Sequence, residues 1–160
     1  MSIILAIDPG YDRCGVAIVA DKQLLHSECI QTKKSDNHEK RLVQIFETLQ
    51  SIIAQWHPTH IAIETLFFSV NKTSALKVAE ARGVVVLLGG ITDIPVIELS
   101  PQDVKLTMTG IGNADKKQIQ KMVALTLKID ITKKLDDEID AIALGFTAVE
   151  KLRVENFEKK

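Results

Sequence analysis

Four acids in this chain, Asp8, Glu64, Asp137 and Asp140, each stand where an apolar segment ends or a helix begins. Asp8 closes the run Ile3 to Ile7, and Glu64 closes His60-Ile61-Ala62-Ile63. Asp137 and Asp140 lie three apart at the head of the last amphipathic segment, a spacing that gives them one helix face. Carboxylates collected from separate strand and helix ends repel one another, and such a cluster is tolerable mainly when divalent cations neutralise it. A fold that gathers these acids therefore points to metal-ion chemistry on phosphates.

With 160 residues, one domain is expected, large enough for a single substantial core. An apolar content of 46% with 26% charged residues is that of an ordinary globular protein. The longest apolar run, Gly83 to Ile91, is too short for a membrane span. The N-terminus passes straight into a core strand with no secretory pattern, so a cytoplasmic location is expected. Cys14 and Cys29 have no zinc-ligand spacing and read as reduced thiols. A formal net charge of -1 means that any nucleic-acid surface must be local.

The pattern predicts strands over 2–8, 15–20 and 24–32, an antiparallel meander with turn signals at Asp8-Pro9-Gly10 and Asp21-Lys22. Leu42, Ile45, Phe46, Leu49, Ile52, Ile53 and Trp56 form one stripe, which predicts a helix over 38–56. A fourth strand follows at 60–64, then a helix over 73–88 stopped by Gly89-Gly90, and a fifth strand at 95–99, expected to be central. Helices over 101–108, 113–128 and 136–152 complete a five-stranded mixed sheet flanked by helices, an α/β fold. Residues 153–160 read as a disordered tail.

Each acid also has an ordinary explanation. Asp-Pro-Gly after a strand is a turn sequence, Glu64 suits a strand end in water, and Asp136, Asp137 and Glu138 suit the positive end of a helix. What favours a site is their conjunction, because first and fourth strands lying parallel side by side would make Asp8 and Glu64 neighbours.

Several motifs occur in order: Ile7-Asp8-Pro9-Gly10 with Gly15; Ala62-Ile63-Glu64 with Phe67; Ser74-Ala75-Leu76-Lys77 and Ala81-Arg82-Gly83; Val104-Lys105 with Gly110-Ile111-Gly112; Ala114-Asp115-Lys116; and Asp137-x-x-Asp140-Ala141-x-Ala143. With them the chain closely resembles the RuvC family of Holliday-junction resolvases from Ile3 to about Val149. The resemblance implies an RNase H-like fold and a homodimeric, metal-dependent endonuclease acting on four-way DNA junctions, with the RuvA-RuvB branch-migration complex as partner. It makes Asp8, Glu64, Asp137 and Asp140 the metal-binding catalytic acids, selecting Asp137 and Asp140 over Asp136 and Glu138. In this reading Ala141 and Ala143 are small so that the helix packs closely.

Two Mg²⁺ ions roughly 4 Å apart, with Mn²⁺ as a substitute, would stabilise both the attacking and the leaving oxygens of a phosphodiester. Asp8 is assigned to bridge them, Glu64 to hold one, and Asp137 with Asp140 to hold the other. Lys116 and Lys117 follow a proposed Asn113 N-cap at a helix start, where positive charge is disfavoured unless an anion compensates. The resemblance makes Lys116 a functional basic residue, matches Lys105 to a second one near the site, and matches Phe67 to an aromatic that stacks on an unpaired base. The ordinary readings are solvated lysines and a core phenylalanine. The basic excess at Lys33, Lys34, Lys40 and Arg41 reads as a solvated face, and the apolar helix 73–88 as the dimer contact.

Two other classes compete. A module similar to the YqgF branch would bind or process RNA without resolving junctions, but that branch lacks the full set of Phe67, Ala-Arg-Gly and paired-Asp features. An actin-like or sugar-kinase ATPase also ends its first strand in Asp-x-Gly, but needs a duplicated fold longer than this chain.

Overall fold

Alternation within the first strand organises the molecule. In the computed structural model, which describes residues 2–65 and 72–158, β1 (Ile3–Asp8) buries Ile4 and Ala6 on one face of the sheet and Leu5 and Ile7 on the other. β2 (Arg13–Ala20) and β3 (Gln23–Gln31) continue from β1 as an antiparallel meander. β4 (His60–Glu64) and β5 (Val96–Leu99) extend the other side in parallel, giving the order β3-β2-β1-β4-β5.

Helices cover both faces. α1 (His38–Trp56) and α2 (Lys72–Thr92) pack on the Leu5–Ile7 face, burying Ile45, Leu49, Val85 and Leu88 against Val16, Ile18, Ile61 and Ile63. On the opposite face lie α3 (Pro101–Thr109), α4 (Lys116–Leu127) and α5 (Asp136–Glu158). α5 is buried almost continuously from Glu138 to Val149 and lies directly on β1 and β2. Among the described residues no helix is long and apolar enough to cross a membrane.

Four expectations need correction. β5 is an edge strand, not a central one; its apolar character comes from helices on both faces, with Val96 in one core and Ile97 and Leu99 in the other. α2 runs through Gly89-Gly90 to Thr92, because Gly89 is a contact with β5, where a Cβ would stand 2.5 Å from Val96 Cγ2. The N-cap of α4 is Asp115, not Asn113, since Asp115 and Gln118 form a reciprocal capping box with both bonds at 2.9 Å. The expected tail at 153–160 is helical as far as Glu158: half-buried Leu152 still packs on the core, and Arg153 pairs with Glu150 at 2.9 Å.

Candidate active site

Parity places the first two acids. Asp8 and Glu64 follow Ala6 and Ala62 on the α5 face, and both come directly after the last β1–β4 pair, Ile7 with Ile63. The two strands therefore deliver neighbouring carboxylates at their adjacent C-terminal ends. The turn after Asp8 is tight, because a Cβ on Gly10 would meet the Arg13 carbonyl oxygen at 1.8 Å. Buried Arg41 holds its far side, donating to the Tyr11 carbonyl at 3.3 Å, to Thr32 Oγ1 at 2.7 Å and to the Asp12 carboxylate. Arg41 is thus a structural tie behind the site, not part of a solvated basic face.

α5 supplies the other acids. Its first turn can reach the sheet because β2 carries glycine at position 15, where a Cβ would stand 1.8 Å from the Asp137 carbonyl oxygen. About two turns further, a Cβ on Gly145 would meet Val19 Cγ2 at 2.7 Å. Ala141 and Ala143 are fully buried between these close approaches. A clasp secures the helix start, where Glu138 Oε1 accepts bonds from Ser27 Oγ at 2.6 Å and Lys134 Nζ at 2.7 Å. Burial would raise the Glu138 pKa, but the bonds from Lys134 and Ser27 outweigh it and lower it. Glu138 is therefore committed to β3 and directed away from the cluster.

The charges of Asp8, Glu64, Asp137 and Asp140 act on one another. Burial, then Asp140, Glu64 and Asp137, push the Asp8 carboxyl up to about 7. Glu64 is raised by burial and by Asp140. Asp140 is raised too, because burial outweighs the opposing hydrogen bond from Lys116. Asp136 points towards α4 instead, accepting a 3.0 Å bond from Gln120.

Two cations partly offset this charge. Lys116 Nζ donates to Asp140 Oδ2 at 2.9 Å and lies 3.5 Å from Asp136. Burial would lower its pKa, but these partners raise it. Arg13 Nε lies 3.0 Å from Asp137 Oδ2. A cleft of about 300 Å³ opens between the strand ends, α3 and α4, lined by Asp8, Glu64, Asp140, Lys105 and Lys116 among others. Lys117 is exposed on α4 and does not line this cleft. Phe67 and Phe68 lie outside the described residues.

The donor set suits a hard divalent cation. Asp137 Oδ2 is buried without a hydrogen-bond partner, and the pressures on Asp8 are burial and neighbouring charge, which a cation would relieve. Among the described residues no three acid, histidine or cysteine side chains already stand in ion-holding geometry. Arg13 and Lys116 hold two of the four acids in the present arrangement.

Reading the residues in order misses Arg13 and the Ser27–Glu138–Lys134 clasp, and takes Arg41 for a solvated residue. A lone arginine opening a strand carries no pattern, and the clasp joins residues 111 positions apart.

The family model described as crossover junction endodeoxyribonuclease RuvC matches residues 4–148. A protein of that name from Petrotoga mobilis is 40% identical over 148 residues, covering 90% of this chain and 91% of the relative. One from Brachyspira hyodysenteriae is 39% identical, covering 96% and 98%. Among solved structures, a Thermus thermophilus RuvC in complex with Holliday junction substrate superposes with a TM-score of 0.91 at 27% identity, covering 97% of each chain. The mixed sheet, its strand order and the helix laid across β1 and β2 are thus the RNase H-like architecture of these resolvases. With the match spanning nearly the whole chain, the protein belongs to the RuvC family of crossover junction endodeoxyribonucleases.

Proposed function

We propose that this protein resolves four-way DNA junctions in recombination and repair, cutting phosphodiester bonds symmetrically as a homodimer with Mg²⁺, or Mn²⁺ in its place. The observation that carries this reading is the convergence of Asp8, Glu64, Asp137 and Asp140 beside a cleft edged with Lys105 and Lys116.

Asp8 with Glu64 would hold one ion, and Asp8 with Asp137 and Asp140 the other. When bound, such ions activate the attacking water and stabilise charge on both the attacking and the leaving oxygens. Asp8, on the central strand and pressed on by the other acids, is suited to face both ions. Lys116, at the first turn of α4, presents its ammonium with the helix's free N–H groups to an approaching phosphate. Lys105 presents a second ammonium from α3 across the cleft. Phe67 is proposed to stack on an unpaired base at the junction centre. Lys117 would touch DNA outside the cleft.

Leu76, Val86, Leu87 and Ile91 leave α2 with exposed apolar side chains, which supports a twofold contact through this helix. The RuvA-RuvB branch-migration complex is the proposed source of the junction, and the cytoplasm the proposed location.

The test is a cleavage assay on four-way, three-way and linear DNA and an RNA-DNA hybrid, with Mg²⁺ or Mn²⁺. Symmetric nicking of the four-way junction, lost in Asp8→Asn while junction binding persists, is expected. Preferential cutting of the hybrid, or cleavage retained in Asp8→Asn, would overturn the reading.

A further inference from the structure

Arg13 opens β2 at the rim of the site, and its side chain is 48% exposed. Its Nε stands 3.0 Å from Asp137 Oδ2, yet that buried oxygen receives no hydrogen bond, so the N–H is not aligned with it. Charge alone holds the pair. Lys116, by contrast, makes an aligned 2.9 Å bond to Asp140. Asp137 is the one acidic partner of Arg13 among the described residues, and the guanidinium it faces has five donors on a half-exposed side chain. A half-exposed fork of this kind matches a phosphate.

We propose that Arg13 is a DNA-backbone contact held in reserve by Asp137, kept by the carboxylate while the site lacks an ion and freed towards a DNA phosphate when a divalent ion takes Oδ2. The proposal rests on Asp137 being an ion ligand. A guanidinium at 3.0 Å and a divalent ion cannot share one carboxylate oxygen without strong repulsion, so occupancy by one releases the other. Ion and DNA binding are then linked through Arg13, and each strengthens the other by the same factor.

The experiment uses Glu64→Gln as parent, which stops cleavage and leaves the Asp137–Asp140 ion site, and adds Arg13→Gln or Arg13→Lys. Mn²⁺ affinity is read by electron paramagnetic resonance without DNA. Junction affinity is read by fluorescence anisotropy over a salt series, with and without Mn²⁺. Arg13→Gln should bind Mn²⁺ more tightly than the parent, since a competitor is gone. In Mn²⁺ it should bind the junction about tenfold more weakly, with a salt slope smaller by about 1, while Arg13→Lys retains most of the affinity. Without Mn²⁺ the three proteins should bind alike. Equal loss with and without Mn²⁺, no loss in either, or weaker Mn²⁺ binding by Arg13→Gln would overturn the proposal while leaving the metal site standing. A parent that binds no Mn²⁺ would overturn the metal site itself, and the proposal with it.

Discussion

Gly15 of β2 and Asp137 of α5 approach so closely that a methyl group on the glycine would stand 1.8 Å from the aspartate's carbonyl oxygen. The obstacle is backbone, which cannot swing aside as a flexible side chain would. Gly15→Ala must therefore push the start of α5 off the sheet. We expect a loss of about 3 kcal/mol in stability, seen as a lower denaturation midpoint, as for an overpacked core. Junction cleavage should fall further than the folded fraction explains, because Asp137 and Asp140 move with the helix. Native stability and native cleavage together would show that the contact is not needed.

The raised Asp8 carboxyl gives the ion-free protein a distinctive pH dependence. A folded pKa of about 7 against 3.8 means that the folded state holds this proton more tightly than the unfolded chain. The stabilisation is complete below about pH 4 and is lost as pH rises through about 7, on the order of 4 kcal/mol in all. Asp8→Asn should therefore be the more stable protein at pH 8 without divalent ions, and should show a flatter profile. Thermal melts from pH 4 to 8 in chelator check this; parallel curves for both proteins would refute it. Adding Mn²⁺ at pH 8 should raise the melting temperature of the wild type much more than that of Asp8→Asn.

The Ser27–Glu138–Lys134 clasp makes a different prediction. Lys134→Met leaves Glu138 buried without its charged partner and should cost about 2 to 3 kcal/mol. Combining it with Glu138→Met should recover much of that loss, since the uncompensated charge is removed. Denaturant titrations of the two single variants and the double one give the coupling directly. Additive losses would mean that the two side chains stand independently.

Phe67→Ala should lower junction cleavage severalfold while shifting the melting temperature little, as loss of a base-stacking group worth about 1 to 3 kcal/mol requires. A collapse in thermal stability would instead make Phe67 a core residue.

Alternation and stripe spacing were enough to define the strands and the long first helix, and motif spacing singled out the four acids proposed as metal ligands. Each of these depends on neighbours in sequence: parity sends Ile4, Ala6 and Asp8 to one face, and the Leu42–Trp56 stripe repeats at helical spacing. The start of α4, by contrast, is misplaced at Asn113 by sequence alone, because two nearby residues can cap and only the folded backbone selects Asp115. The choice of Asp137 and Asp140 over Asp136 and Glu138 came from the matching motifs, because all four fit a helix start by charge alone. Tertiary packing shows what occupies the other two: Asp136 turns to Gln120 on α4, and Glu138 to Ser27 on β3.

The chain by itself thus determined the α/β class, the meander and the family that its motifs match. Only the tertiary structure decided that β5 lies at an edge, that Arg41 ties the turn after Asp8, and that Arg13 and Lys116 hold two of the acids. The physical reason is range. Periodicity and capping record interactions within a few residues, whereas an ion pair between Arg13 and Asp137 exists only once β2 and α5 have been brought together by the core between them.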